Sequence, residues 1–256
     1  MLDLLTELLH VGGRELMDRR SDPRTFEKKR SQSDLVTDAD RASEEIILNR
    51  LRQLAPQDGI VSEEFGFSGG SSGRTWVIDP LDGTANYGTG LDDFGVIIGL
   101  TDADRAVAGG MYLPALDLLY LATVGGGATR NGVAICTSST ASIEDAFVDH
   151  SLMNLSLILD DQARTLAVLV RTARAVRCNH SLRYLAYVAE GVYDAFVYHS
   201  LGLWDLVGPS VILAEAGVTI TALDGACTSR SEAKARGRRE DLPGDRRQRP
   251  ASLPAA

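Results

Sequence analysis

Cysteine is scarce in this chain. Cys136, Cys178 and Cys227 are the only three in 256 residues, an odd number with no C-x-x-C pair. That excludes a disulfide framework and a thiolate zinc site, and favours reduced, mostly buried thiols in a reducing compartment such as the cytoplasm. Histidine is also sparse: His10, His150, His180 and His199 lie far apart and show no zinc-ligand spacing, so surface or hydrogen-bonded core roles are expected. No charge-free apolar run approaches the roughly 18 residues that a membrane span needs. The Leu-rich N-terminus carries Asp3 and Glu7 and no basic n-region, which argues against a secretory leader. Basic residues are not in excess. With 26 Lys and Arg against 35 Asp and Glu, the net charge is −9, which speaks against nucleic acid as the main partner. An acidic protein that handles an anionic phosphate needs metal ions to reverse the local sign.

What is present reads as a globular enzyme, with 44% apolar and 24% charged residues. Residues 2–20 place Leu5, Leu8, Leu9 and Leu16 at helical spacing, and a basic loop follows (Arg24, Lys28, Lys29, Arg30). A second helix is predicted over Asp38–Leu54, with Ala42, Ile46, Ile47, Leu51 and Leu54 on its apolar face and Asp38 as its cap. Ile60-Val61 reads as a short strand leading to Ser62-Glu63-Glu64. Strand-like segments at 94–100, 106–111 and 118–124, separated by Gly, Asp and Pro clusters, predict an antiparallel meander. From about residue 141 strands and helices alternate, at 146–149, 162–172, 175–178, 182–190, 195–198 and 203–216. This predicts an N-terminal lobe over 1–140 and a second α/β lobe over 141–228, with a ligand site between them. Val218–Leu223 supplies a further strand. Residues 229–256 hold eight Lys/Arg, four Asp/Glu and three Pro with almost no large apolar residue, and read as a disordered, solvated tail.

The most informative stretch is Trp76-Val-Ile-Asp-Pro-Leu-Asp-Gly-Thr-Ala-Asn86. A buried strand ending at Ile78, followed by Asp79 and Asp82 on a Pro- and Gly-stiffened turn, aims two carboxylates at one point. Hard cations such as Mg²⁺ take such oxygen ligands, often with a backbone carbonyl beside them. Three other segments place acids where elements begin or end: Asp34/Asp38/Asp40, Glu63/Glu64 and Trp204-Asp205. Each alone is explained as a helix cap or turn residue. Trp76 and Trp204, the only tryptophans, read as core packing that fixes the carboxylates.

Taken together, Asp34-Leu-Val-Thr-Asp-Ala-Asp40, Val61-Ser-Glu-Glu64, the Asp79-Pro-Leu-Asp-Gly-Thr84 motif and Leu203-Trp-Asp205 with Ala214-Glu-Ala-Gly217 resemble the inositol monophosphatase family, over about residues 1–225. The resemblance implies a mixed α+β fold, a layered αβαβα sandwich of the inositol monophosphatase and fructose-1,6-bisphosphatase type. It implies a Mg²⁺-dependent phosphomonoesterase using two or three ions and acting on a small phosphorylated polyol or sugar, with a homodimer as a common state. Carried over by position, Glu63, Asp79 and the Leu81 carbonyl would hold a first ion, and Asp79, Asp82 and Asp205 a second. Glu63 would also support a third. Asp40 and the Thr84 hydroxyl would position and deprotonate the attacking water. Backbone N–H groups at Gly83 and Thr84, with Asp82 beside them, would face the substrate.

The chain departs from the family in three places. Tyr198 stands seven residues before Asp205, where inositol-specific members carry a sugar-binding Glu. Tyr87-Gly-Thr-Gly-Leu-Asp-Asp-Phe94 follows Asn86 where Phe and a Pro-containing segment are usual, so Asp92 and Asp93 add charge near the site or cap a turn. After Thr228 the chain reads as an Arg-rich tail where the family continues through a strand and a final helix, so the end of the second lobe is expected to be missing or replaced, as by a truncated or frameshifted terminus. Histidinol phosphate, fructose-1,6-bisphosphate and 3′-phosphoadenosine phosphate are the alternative substrates. A non-catalytic metal- or phosphate-binding relative is the alternative class.

Overall fold

The computed structural model describes residues 1–20, 27–28, 35–152, 158–181 and 183–225. Asp34, Arg24, Lys29, Arg30, Cys227 and the tail from Ser229 lie outside the described residues.

Helix α1 (Leu2–Asp18) buries Leu5, Leu8, Leu9 and Leu16, as its periodicity predicts. The two-residue strands β1 (Glu27–Lys28) and β2 (Leu35–Val36) pair antiparallel. Helix α2 (Asp38–Leu54) has the predicted bounds, but Thr37 caps it rather than Asp38. Thr37 has the extended backbone an N-cap requires, and its hydroxyl accepts from Ala39 N–H at 3.2 Å. Asp38 is already helical, and its side chain projects into solvent 3.6 Å from Arg41. The buried face of α2 also differs from expectation. Ile46 and Leu54 are exposed, while Asp40, Ser43 and Glu44 are buried beside Ala39, Ile47, Leu48 and Leu51.

Next come β3 (Gly59–Ser62), β4 (Gly66–Ser68), β5 (Arg74–Asp82), α3 (Thr84–Thr89), β6 (Gly95–Asp102), β7 (Arg105–Leu113), β8 (Leu118–Thr123), β9 (Gly127–Arg130) and β10 (Val133–Ile135). They form one sheet in the order β10-β9-β8-β7-β6-β5-β3-β4, antiparallel except for the β3–β5 pair. The meander is as predicted, extended by β9 and β10. Both faces of this sheet are covered. Val96, Ile98 and Leu100 of β6 join the core formed with α1 and α2, and Ile97 joins the core on the opposite face. That alternation is the period-two geometry of a strand buried on both sides.

The rest of the chain builds β11 (Phe147–His150), α4 (Leu159–Thr172), β12 (Ala175–Arg177), α5 (Arg183–Ala189), β13 (Ala195–Val197) and α6 (Leu203–Glu215). The three strands are parallel in the order β12-β11-β13. Residues of α5 and α6 pack with Ile97, Met111 and Tyr120 of the large sheet, completing the αβαβα layering. The approach of α6 to the sheet depends on glycine. A Cβ on Gly109 would lie 1.9 Å from the Gly208 carbonyl oxygen, so the strand and helix backbones touch directly.

Two expectations are corrected here. Cys136 and Cys178 are exposed rather than buried, because Cys136 lies just past β10 and Cys178 just past β12, where the ladders end. Val218–Leu223 is not a strand: beyond a single bridge at Thr221 it has no ladder partner among the described residues.

Candidate active site

The Asp-Pro-Leu-Asp stretch is not a turn after a strand. Strand β5 continues through Asp82, and its register against β6 jumps from Asp79↔Ile97 to Asp82↔Gly95. Three steps on β5 thus oppose two on β6, which is a bulge of one residue. Pro80 has no N–H to give to the ladder, which favours the irregularity at that point. The bulge has a chemical consequence. In a regular strand, residues three apart face opposite sides; one extra residue restores them to the same side. Asp79 and Asp82 therefore converge, and Asp205, in the first turn of α6, meets them. Among the described residues these three carboxylates each offer an oxygen within 4.8 Å of the others.

Helix α2 anchors the surrounding pieces through the polar side chains of its buried face. Asp40 is fully buried; its Oδ2 accepts from Thr37 N–H at 2.8 Å and from the Thr37 hydroxyl at 2.6 Å. Its Oδ1 accepts from the Thr84 hydroxyl at 3.1 Å, and the same hydroxyl lies 3.0 Å from the Leu81 carbonyl oxygen. One turn on, the Ser43 hydroxyl donates to the Pro80 carbonyl at 2.9 Å. Glu44 accepts from the Ser62 hydroxyl and from the N–H groups of Glu64 (3.1 Å) and Phe65 (2.9 Å). Positions i, i+3 and i+4 of one helix face thus hold the bulge, its following turn and the chain beyond β3. These polar contacts explain why α2 does not bury its most apolar stripe. The spacing of Asp40, Ser43 and Glu44 carries that signal in the sequence, but charged residues there read as a solvated face.

Glu63 is not part of the three-carboxylate group, but its charge reaches Asp79. Burial above all, then the charges of Glu63, Asp205 and Asp82, push the Asp79 carboxyl well above the usual range. Asp79 is only 2% exposed. Its Oδ1 accepts from Leu81 N–H at 3.0 Å, which does not offset three like charges. A converging, oxygen-only set of this kind fits a hard divalent cation, which would relieve the repulsion.

Gly83 caps α3 with φ of +78°, and a Cβ there would meet the Asp93 carbonyl at 2.6 Å. The Asn86 amide donates to the carbonyls of Asp93 (2.8 Å) and His180 (3.2 Å), tying α3 to the chain after β12. Asp92 and Asp93 are not free charges at the site: Asp92 pairs with Arg20, and Asp93 pairs with Arg183 and accepts from Tyr184 at 3.3 Å. Asp205 also closes its own helix start, accepting from Gly202 N–H at 2.8 Å. Ser181, which sequence reasoning missed, donates its hydroxyl to Asp82 Oδ2 at 3.2 Å. Tyr198 stacks on His180 with ring centres 6.3 Å apart. Burial, then the nearby Asp205 and Asp82, push its phenol far up, so it faces the acids as a neutral hydroxyl. Trp76 is a core residue as expected, its indole N–H given to Asp58 Oδ2 at 2.9 Å, and Trp204 packs partly buried with Val61, Val77 and Val207. The histidine expectation is corrected at His150, which is buried with neither ring nitrogen hydrogen-bonded and packs against the partly exposed His199.

The sequence profile of the inositol monophosphatase family matches residues 1–246. A fructose-1,6-bisphosphatase/inositol-1-monophosphatase of Thermotoga maritima is 31% identical over 225 residues, covering 88% of this chain and 85% of that protein. A histidinol-phosphatase of Streptomyces coelicolor is 33% identical over 201 residues, 74% of each chain. Among solved structures, an inositol monophosphatase from Thermotoga maritima superposes with a TM-score of 0.82 at 30% identity, covering 90% of this chain and 89% of that one.

Proposed function

The chain belongs to the inositol monophosphatase family, and from that premise we propose that it is a Mg²⁺-dependent phosphomonoesterase, hydrolysing a small polyol or sugar phosphate by direct attack of water. The convergence of Asp79, Asp82 and Asp205 beside the Asp40–Thr84 hydrogen bond carries this reading. Glu63, Asp79 and the Leu81 carbonyl would hold one ion, and Asp79, Asp82 and Asp205 another, with Glu63 also supporting a third. Bound there, the ions supply the positive charge that offsets the phosphate dianion and the departing alkoxide.

The chain's own groups do the rest. The Thr84 hydroxyl donates to Asp40, which Thr37 fixes; as the attacking water gives a proton to the Thr84 oxygen, the Thr84 proton moves to Asp40, and the negative charge of Asp40 passes to the attacking oxygen. Ser181 orients Asp82. Backbone N–H groups at Gly83 and Thr84 face the phosphate. The substrate lies between lobes 1–140 and 141–228. Free Cys136 and Cys178 suit a cytoplasmic setting, the family resemblance points to a homodimer, and no helix among the described residues is long and apolar enough to cross a membrane.

A second substrate class is favoured by one observation. Tyr198 offers a neutral phenol stacked on His180 where a carboxylate would grip sugar hydroxyls. That surface accepts a flatter, less hydroxylated leaving group such as the histidinol of histidinol phosphate. Phosphate release from myo-inositol-1-phosphate, histidinol phosphate, fructose-1,6-bisphosphate, 3′-phosphoadenosine-5′-phosphate and glycerol-2-phosphate, with Mg²⁺ and with EDTA, tests both. Metal-dependent turnover lost in Asp82→Asn is expected. A folded protein that turns over none of them points to the altered C-terminus or to a binding role, and overturns the enzyme reading for this chain.

A further inference from the structure

The adjacent acids Asp92 and Asp93, on the loop between α3 and β6, are held from two directions. Arg20, just past the end of α1, pairs with Asp92, donates to the Gly90 carbonyl at 3.1 Å and lies 5.3 Å from the centre of the Phe94 ring. Arg183, the first residue of α5, pairs with Asp93. Its guanidinium also donates to the Tyr187 hydroxyl at 2.6 Å, one turn along the same helix, and sits 5.1 Å from the centre of that ring. Tyr187 thus aims Arg183 at the loop. The Arg183 and Asp93 side chains are only 20% and 21% exposed, and Arg183 Nε is buried without an acceptor. Asp93 is therefore the counter-ion on which this charge depends.

Arg183 also reaches the converging carboxylates through its backbone. Its N–H donates to the Ser181 hydroxyl at 3.2 Å, and that hydroxyl donates to Asp82 Oδ2 at 3.2 Å. A buried hydroxyl that accepts on one side and donates on the other has the direction of its proton fixed. Two further bonds tie the same segment down. The Asn86 amide donates to the His180 carbonyl at 3.2 Å, and the Tyr184 hydroxyl donates to Asp93 at 3.3 Å. Of the side-chain contacts that join residues 180–184 to residues 82–93, the Arg183–Asp93 pair is the one between opposite charges. The Ser181–Asp82 bond is the one that reaches the carboxylate group.

We propose that Asp93 and Arg183 are positioning residues of the metal site: their ion pair docks the start of α5 on the α3–β6 loop and so sets the Ser181 hydroxyl that orients Asp82. This rests on the reading of Asp82 as a metal ligand. Loss of a partner that orients a metal ligand typically costs about 10–100-fold in metal affinity. Charge alone predicts the opposite sign at Arg183. Removing a cation from beside an acidic site tightens Mg²⁺ binding, whereas undocking α5 loosens it.

The test reads Mg²⁺ binding and needs no turnover. Mg²⁺ is titrated calorimetrically into the full-length parent, into Arg183→Met, Asp93→Asn and Ser181→Ala, and into Ser181→Ala combined with each of the other two. Thermal melts in EDTA establish that each variant is folded. Each single substitution is expected to weaken Mg²⁺ binding by about tenfold. Because Arg183 and Asp93 act through Ser181, either change added to Ser181→Ala is expected to weaken binding no further, whereas independent effects multiply to about a hundredfold. If Arg183→Met does not fold, Asp93→Asn, which keeps the side-chain shape, carries the same cycle. Folded variants at Arg183 or Asp93 that bind Mg²⁺ as the parent does or more tightly, or whose effect multiplies with that of Ser181→Ala, overturn the proposal. A folded parent that binds no Mg²⁺ overturns the reading of Asp82 as a ligand, and the proposal with it.

Discussion

The Thr84 hydroxyl reaches across 44 residues of sequence to donate to Asp40 at 3.1 Å, and Asp40 is itself fully buried and held by Thr37. A proton relay needs such fixed partners, because a misplaced base loses both reach and orientation. Thr84→Val and Asp40→Asn are each expected to lower kcat by about 10²–10⁴-fold with the apparent Mg²⁺ affinity little changed. Thr84→Ser restores the hydroxyl and is expected to recover most of the rate. Steady-state kinetics at several Mg²⁺ concentrations separates the two parameters. A Thr84→Val enzyme with normal kcat would remove the relay.

Asp79 is the carboxylate on which burial and three like charges converge. Mg²⁺ is therefore expected to stabilise the folded protein, by about 2.7 kcal/mol at a concentration one hundred times its dissociation constant. EDTA should abolish that gain. Asp79→Asn should lose the Mg²⁺-dependent rise in Tm while melting, without metal, no lower than the parent, since a crowded buried charge has gone. Thermal melts of both proteins with Mg²⁺ and with EDTA decide it.

Gly109 faces the Gly208 carbonyl so closely that a Cβ would lie 1.9 Å away, and neither side of that contact is a flexible side chain. Gly109→Ala must push α6 off the sheet. The expected cost is about 1–3 kcal/mol or more, as for overpacking in a rigid core. Because α6 carries Asp205, the variant should also need more Mg²⁺ for half-maximal activity. Urea unfolding and a Mg²⁺ titration check the two effects, and an unchanged Mg²⁺ requirement would separate α6 position from metal affinity.

Asp58 governs an acid-sensitive part of the core. Burial works against its charge, but donors from Ser72, Trp76 and Arg74 outweigh that and hold its carboxyl below the usual range; the Arg74 and Trp76 contacts are 3.0 and 2.9 Å. A carboxyl whose folded pKa is depressed contributes stability above its unfolded value near 3.9, and that stability is lost as pH falls through the folded pKa. Asp58→Asn is expected to cost about 1–3 kcal/mol at pH 7. The gap to the parent should begin to shrink below about pH 4, where the unfolded carboxyl takes up its proton, and close once pH has fallen through the depressed folded pKa. Urea denaturation at pH 7 and pH 3 measures it.

Much was legible in the sequence because local rules and tertiary demands agreed. The bounds of α2, the meander from β6 to β8 and the order of strands and helices after residue 141 follow from periodicity and turn chemistry, and packing rewards the same patterns. The Asp-Pro-Leu-Asp-Gly-Thr motif named the chemistry, because few other roles need two acids, a proline and a glycine so close together. What the sequence could not carry depends on contacts between distant segments. One extra residue of β5, measured against β6, turns Asp79 and Asp82 to one side. The buried polar face of α2 exists because Pro80, Thr84 and the chain after Ser62 supply its partners. Histidines 49 residues apart meet because parallel pairing sets Val197 beside His150. Local propensity determines which elements form, whereas register and close packing between segments decide which side chains share a site.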